Sequence, residues 1–173
     1  MTERDHTANL LGALSLVVAD RMTDSVAEAA GRSLTAATAL SALCQFLDGP
    51  SVDLLRQVLG LTHSGTVRLV DRLAADGYLT REPGVDGRSV TISLTAKGKR
   101  VGERVSAARG EVLGGVLATL TEAERAALDG VVAKLLAGLK RGPGATRWIC
   151  RLCDLQACGR AEGRCPFVPA SSS

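Results

Sequence analysis

Four cysteines stand close together towards the C-terminal end of the chain, as Cys150, Cys153, Cys158 and Cys165 in the spacing C-x2-C-x4-C-x6-C. Four thiolates in one short segment form the donor set of tetrahedral zinc sites and of iron–sulfur clusters. Structural zinc sites commonly contain two short cysteine pairs, whereas the second half of this motif is C-x6-C. The spacing also differs from both ferredoxin patterns. From the donor set we predict a four-thiolate metal site, with zinc favoured and an iron–sulfur cluster as the alternative. Metal-free thiols or disulfides are a third interpretation.

The cysteines also allow a redox interpretation, in which Cys150 and Cys153 form a thiol–disulfide couple. Such a pair normally opens a helix in a strand-helix-strand setting, whereas this one follows a linker. No Ser-His-Asp set, Gly-rich phosphate loop or catalytic carboxylate pair stands out elsewhere. We therefore expect a protein that is not an enzyme. The fifth cysteine, Cys44, lies on the apolar face of a predicted helix and is expected to be a buried, inert thiol.

The composition favours a single, mostly helical domain with an appendage. The chain has 173 residues, of which 46% are hydrophobic but only 2% aromatic, so Leu, Val and Ala must build the core. The net charge of +3 is compatible with nucleic-acid binding without requiring it. An apolar stretch near the N-terminus continues at helical spacing beyond any plausible signal-peptide cleavage point. We therefore expect a cytoplasmic protein with no membrane segment.

Helix start signals divide the chain into six predicted helices. The residues expected to begin the second to sixth helices are Ser33 or Thr35, Ser51, Thr62 or Ser64, Thr95 and Thr121. The third and fourth helices are short and are joined at Gly60, which is typical of a helix-turn-helix. After Tyr78 an alternating pattern with a Gly-rich centre predicts a β-hairpin through Leu94.

Three stretches of this region carry a family resemblance: LTHSGTVRLVDRL at 61–73, DGYLTR at 76–81 and DGRSVTISLT at 86–95. With the order of the helices, they make the chain resemble the MarR family of bacterial winged helix-turn-helix regulators over about residues 9–139. The resemblance implies a mainly α fold with a two-stranded β wing and with N- and C-terminal dimerisation helices. The expected organisation is a DNA-binding and dimerisation domain at 1–140, with its winged-helix core at about 34–95, and a linker with a cysteine-rich tail at 141–173.

A helix enters the major groove with small or polar side chains on its leading turn, and the fourth helix supplies them. Its two arginines are four residues apart and share one face, opposite a core stripe of Val67, Val70, Leu73 and Ala74. In the family, an Asp-x-Arg pair in the wing approaches the DNA. Without such a matched motif, scattered arginines would be interpreted as solvated surface residues. The predicted DNA-contacting residues are His63, Ser64, Gly65, Thr66, Arg68, Arg72, Asp86 and Arg88.

The resemblance implies a homodimer that binds a pseudo-palindromic site in double-stranded DNA, with repression as the commoner outcome. The tail lies outside the resemblance, and the four-cysteine site is expected to sense or to stabilise. If the site senses a signal, loss or oxidation of its centre should change the geometry of the dimer. Trp148 is expected to anchor the tail to the dimerisation region. The alternative is a regulator whose effector is a small hydrophobic or phenolic molecule and whose zinc tail is purely structural.

Overall fold

The computed structural model describes residues 5–83, 90–139, 148–160 and 162–167 of the chain. Most of this part is helical, and two strands form a single antiparallel hairpin, so the predicted mainly α class is confirmed. The elements are α1 (His6–Ala30), α2 (Leu34–Gln45), α3 (Val52–Leu59), α4 (His63–Ala75), β1 (Leu79–Pro83), β2 (Val90–Leu94), α5 (Ala96–Leu117), α6 (Glu122–Leu139) and a 3-10 helix (Cys150–Leu152).

The predicted helix beginnings are confirmed by capping hydrogen bonds. The side chains of Ser33, Ser51, Thr62 and Thr95 each accept a hydrogen bond from a backbone N–H in the first turn of the helix that follows. Thr121 and Glu124 form the predicted capping box, in which the Glu124 carboxylate accepts from the backbone N–H of Thr121 at 2.8 Å. Local chemistry therefore sets where the helices begin.

The helix-turn-helix consists of α3 and α4, with Gly60 between them in the left-handed conformation at φ +66°. The core-facing side of α4 is shifted from the predicted stripe. Val70 and Leu73 are buried as predicted and Ala74 packs against the core, but Leu69 joins them while Val67 is only half-buried. The prediction was wrong for Val67 because the tilt of α4 on its neighbours decides which residues face inwards.

The wing begins as an antiparallel pair in which Leu79 lies opposite Leu94 and Pro83 opposite Val90. β2 is also tied to the segment before α3, because the N–H of Ile92 donates to the carbonyl of Pro50 at 3.1 Å. Ile92 is fully buried and anchors the hairpin in the core. The strands of the predicted wing are thus confirmed, whereas its Gly-rich centre at 84–89 lies outside the described residues.

The core lies where the C-terminal half of α1 and the first half of α5 pack against α2. Val26, Leu40 and Val105 are fully buried there. Gly102 permits the close approach of α5 to α2, since a Cβ at this position would lie 2.6 Å from Cβ of Cys44. These packed helices therefore form the scaffold that supports α4 and the wing.

Two helical faces remain uncovered within one chain. The N-terminal half of α1 exposes apolar side chains such as Leu14 and Leu16, and α6 has no buried residue although Leu135 and Leu139 lie along it. Within the described ranges, no helix combines the length and the apolar character needed to cross a bilayer. These faces are amphipathic surfaces that a neighbouring protein surface can cover.

Candidate nucleic-acid interface and cysteine cluster

The solvent-facing side of α4 brings together four of the predicted site residues. His63 and Ser64 are exposed on the leading turn, and Arg68 and Arg72 follow one and two turns later on the same helix. Gly65 is half-buried beside the capping hydroxyl of Thr62, which accepts a hydrogen bond from its N–H. A polar leading turn followed by two guanidinium groups on one side is suited to a groove with acceptor-rich base edges and flanking phosphates.

Thr66 does not join this surface. Its side chain is 0% exposed, and its hydroxyl donates to the carbonyl of Thr62 at 3.0 Å. The sequence-based assignment of Thr66 to the contacting set is therefore corrected, because a hydroxyl that is buried and already bonded within its own helix does not reach a base edge. The residue instead stabilises the first turn of α4.

A cleft of about 260 Å³ runs along the same side of α4 and continues onto the start of α2. Ser33 and Thr35 line it together with Arg68 and Arg72. These two residues were expected only as helix caps, and the sequence carries no signal that would place them beside the arginines. The cleft adds hydroxyl groups next to the guanidinium pair.

Polar contacts in the second half of α4 and at its C-terminal end fix its position. An ion pair joins Asp71 on α4 to Arg81 on β1. At the C-terminal end, Arg32 from the end of α1 forms an ion pair with Asp76 at 2.7 Å and donates to the hydroxyl of Tyr78 at 3.3 Å. These contacts connect α4 to the wing and to the first helix. Asp86 and Arg88, the wing residues of the predicted set, lie outside the described residues.

The four tail cysteines influence one another's pKa values in two pairs. The interaction between Cys150 and Cys153 raises the pKa of Cys150 and lowers the pKa of Cys153 to about 6. Burial raises the pKa of Cys158, and its hydrogen bond to Cys165 acts in the same direction. The charges of Cys165 and Cys158 also raise the pKa of Cys150, so the two pairs lie within electrostatic range of each other.

The part of the tail that carries these thiols, residues 148–167 and here called the cysteine segment, folds back onto the helix-turn-helix body. Its Leu155 N–H donates to Oε1 of Gln45 at the end of α2, at 3.1 Å. Leu152 packs against the core, and the positive charge of Arg109 on α5 contributes to the lowered pKa of Cys153. Cys165 is only 7% exposed. The segment is therefore a docked part of the domain.

Trp148 lies elsewhere than expected. The prediction placed it against the dimerisation region, but its indole ring lies against Gly60, the turn between α3 and α4. The guanidinium of Arg151 stacks on this ring, 4.1 Å from its centroid. The correction follows from the path of the chain, which returns from α6 to the helix-turn-helix.

The donor chemistry of the segment suits a thiophilic metal, since four sulfur ligands are those of structural zinc sites and iron–sulfur clusters. Burial of Cys165 and the closeness of the two thiol pairs fit that donor set. In the part of the chain that the structure describes, no three His, Cys, Asp or Glu side chains stand in an arrangement ready to hold a metal ion. Binding would therefore have to draw the two pairs together.

Residues 30–89 match the sequence model of the MarR family. This match covers α2, the helix-turn-helix and the first wing strand β1 but ends before β2, and it contains every predicted DNA-contacting residue. No curated protein matches the chain at the sequence level. The matched residues end well before the cysteine segment, which therefore has no counterpart in this comparison.

Solved structures show the same fold. RV1404 from Mycobacterium tuberculosis is 23% identical, with a TM-score of 0.65 over 83% of this chain and 98% of that one. The transcriptional regulator PA3341 is 26% identical, with a TM-score of 0.60 over 78% and 98%. A mutant of MepR from S. aureus, solved bound to an oligodeoxyribonucleotide, is 18% identical, with a TM-score of 0.58 over 79% and 100%. The winged helix-turn-helix fold is therefore shown.

Proposed function

We propose that this chain, which carries a MarR-family winged helix-turn-helix domain, is a cytoplasmic homodimeric transcription regulator that binds specific duplex DNA and acts as a repressor. The observation that supports this best is the polar face of α4, where His63 and Ser64 lead and Arg68 and Arg72 follow. The MepR mutant, which shares the fold, is described as bound to an oligodeoxyribonucleotide. In this proposal α4 lies in the major groove and its arginines contact bases or phosphates.

The wing and the cleft extend the proposed interface. Arg88, oriented by Asp86, would approach the minor groove or the backbone next to the groove that α4 occupies. Ser33 and Thr35 line the cleft beside Arg68 and Arg72, where their hydroxyls can donate to a phosphate. Phosphate contacts of this kind give affinity, whereas base contacts from α4 give specificity.

The uncovered faces of α1 and α6 are proposed to pack against a second copy of the chain. Their exposed leucines and valines, including Leu14, Leu16 and Leu139, would otherwise leave large apolar surfaces in water. A twofold dimer places two copies of α4 about one helical turn of DNA apart, so the preferred site is a pseudo-palindrome.

The test begins with selection of the preferred duplex from a random library by the full-length protein. Arg68→Ala and Arg72→Ala are then compared with Arg100→Ala, a matched control at an exposed position of α5, outside the α1 and α6 faces proposed to pack against the second copy. Loss of a base contact should cost about 1–3 kcal/mol of binding free energy, and loss of a phosphate contact should reduce the salt slope by about 1. Selection of no sequence, or equal affinity for all three variants, would refute the proposal.

We propose further that Cys150, Cys153, Cys158 and Cys165 hold zinc, with an iron–sulfur cluster as the alternative occupant. The described cysteine segment has little regular structure, a few helical residues at 148–152, yet it buries Cys165 and Phe167. Fixing its backbone costs about 1–2 kcal/mol per residue. Structural zinc contributes about 10–16 kcal/mol in small peptides. A thiolate centre therefore supplies stabilisation that these few buried side chains do not.

Elemental analysis with an absorption spectrum, on protein purified without oxygen and without added metal, tests this assignment. Colourless protein with about one zinc per chain is the expected result. Iron in the protein, together with visible absorption, would identify the centre as an iron–sulfur cluster and not zinc. Protein that takes up neither metal, with all four thiols alkylated as rapidly as in the unfolded chain, would refute a metal centre of either kind.

A small hydrophobic or phenolic effector is the second candidate for the signal. One cleft of about 280 Å³ lies between α2, β2 and α5, just below the usual range for small-molecule sites. Its apolar lining includes Leu43, Leu47 and Ile92, and Lys99 supplies a cation that can pair with a carboxylate. Release of DNA by a phenolic acid, unchanged when the tail cysteines are replaced by serine, would favour this candidate.

A further inference from the structure

We propose that Trp148 and Arg151 form a further part of the DNA interface, in which the Arg151 guanidinium, stacked on the indole ring, contacts a phosphate of the duplex beside the groove that α4 occupies. The inference rests on the proposed function and extends its interface to the cysteine segment, whatever the four thiols hold. The residues that match the family end before this segment, so the contact adds to those of α4 and the wing.

The pair lies at the turn that leads into α4. A Cβ built on Gly60 would lie 3.4 Å from Nε1 and 3.5 Å from Cδ1 of Trp148, which is ordinary van der Waals contact. His63 begins α4 three residues after Gly60, so the Cα atoms of the two residues are at most about 11 Å apart. One DNA strand carries a phosphate about every 3.4 Å along the helix axis. The indole therefore lies within a few phosphates of the place where α4 would enter the groove.

The same turn connects the ring to the cleft beside α4. Leu61, the residue after Gly60, lines the cleft together with Arg68 and Arg72. Trp148 therefore contacts the residue next to the wall of that cleft. Its ring packs on the turn but remains 50% exposed. An exposed aromatic ring that carries a guanidinium thus continues the proposed interface beyond the arginines of α4.

The Arg151 side chain is held in place without a carboxylate. Its guanidinium carbon lies 4.1 Å from the centroid of the indole ring, and its Nη1 donates to the carbonyl of Trp148 at 2.8 Å. The side chain is half-buried, and among the described residues it forms an ion pair with no carboxylate. A cation that is partly removed from water and lacks an anionic partner is stabilised when an anion binds. The planar group also has N–H donors suited to two phosphate oxygens at once.

The other charged groups of the cysteine segment do not cancel this charge by contact. Arg164 pairs with Glu162 at 3.7 Å, and the carboxylate of Asp154 accepts a hydrogen bond from the N–H of Gln156 at 2.8 Å. An acidic peptide would offer carboxylates to the same guanidinium. Continuity with the cleft beside α4 favours the phosphates of the duplex that α4 is proposed to bind.

The sequence contains one tryptophan, so intrinsic fluorescence reports on this contact directly. Full-length protein is titrated with the selected duplex, and acrylamide quenching of the tryptophan emission is measured for the free protein and for the saturated complex. Quenching should decrease in the complex, because the duplex would cover the exposed half of the ring. Equal quenching of the free protein and the complex would overturn the inference, since the ring would then remain open to solvent.

Salt dependence distinguishes a phosphate contact from a role in folding alone. For each contact that Arg151→Ala removes, affinity for the selected duplex should fall about 10-fold at about 50 mM salt and only about 3-fold at about 200 mM. The preferred sequence should not change, because phosphate contacts carry no base information. Arg151→Lys keeps the charge and should retain the salt slope of the parent. Arg160→Ala is the matched control, since it removes the same charge from an exposed position of the same segment. It should behave as the parent does.

Failure of this inference can be told apart from failure of the proposed function. An Arg151→Ala variant with the affinity and salt slope of the parent, or with a loss that Arg160→Ala shares, would overturn the contact and leave DNA binding by α4 intact. A loss of affinity without a change of salt slope would also overturn it, because Arg151 would then only support the fold. Failure of the parent to select any sequence would overturn the proposed function and the contact with it.

Discussion

Gly98 lies where the first turn of α5 meets the end of α4, and replacing it with alanine should loosen this joint. A Cβ at position 98 would lie 2.0 Å from the carbonyl oxygen of Tyr78 and 2.9 Å from Cδ2 of Leu94. Real Cβ atoms essentially never approach within 3.0 Å, so α5 must move by about 1 Å. The obstacle is backbone, which cannot swing aside as a side chain can.

The magnitude follows from what this movement breaks. The N–H of Thr95 donates to the Tyr78 carbonyl at 3.0 Å, and the Thr95 hydroxyl caps α5 by accepting from the N–H of Gly98 at 3.1 Å. Overpacking costs about 1–3 kcal/mol, and a lost cap or hydrogen bond costs about 1 kcal/mol. Because alanine has a higher helix propensity than glycine, the substitution also gains about 1 kcal/mol, which offsets part of this loss. We expect Gly98→Ala to lose about 3 kcal/mol of unfolding free energy.

Denaturant unfolding, followed by circular dichroism, measures this loss. Gly110→Ala is the matched control in the same helix, because nothing lies within 4 Å of a Cβ at position 110. Its expected change is a gain of about 1 kcal/mol. Opposite signs for the two variants would support the packing seen here. A Gly98→Ala variant as stable as the parent would refute the reasoning, since α5 could not then lie so close to Tyr78.

Three further predictions concern single side chains. Thr66→Val should lower stability by about 1 kcal/mol, because it removes the hydrogen bond to Thr62, yet leave the selected DNA sequence unchanged; an altered sequence preference would restore Thr66 to the contacting set. Leu135→Glu on α6 should convert a dimer to a monomer by light scattering, and an unchanged mass would exclude that face from the interface. Burial raises the pKa of Cys44, so its alkylation at about pH 8.5, near the ordinary thiol pKa, should be slower than in the unfolded chain, as measured by mass spectrometry; equal rates would show that the thiol is open to solvent.

Much of the DNA-reading unit was predictable from the sequence because its signals are local. A hydroxyl that caps a helix acts within three residues, as Ser51 and Thr62 do, and a glycine at the left-handed position ends a helix at Gly60. The hairpin follows from alternation and a Gly-rich centre. The shared face of Arg68 and Arg72 follows from helical spacing once α4 is located.

The errors have one physical origin, which is that burial depends on how an element is tilted against its neighbours. Periodicity placed Val67 in the core stripe and left Thr66 on the surface, whereas packing of α4 buried Thr66 and Leu69. A shift of one residue along a helix turns a side chain by about 100°, enough to exchange the two environments.

The sequence by itself determined the helix boundaries, the wing strands and the presence of four thiols in one short segment, because each depends on residues near one another in the chain. Only the tertiary structure decided where that segment lies. Its contacts join Trp148 to Gly60 and Leu155 to Gln45, pairs that are far apart along the chain. No local propensity encodes contacts at such separation, which arise when the whole chain packs and the tail returns to the helices that it can cover.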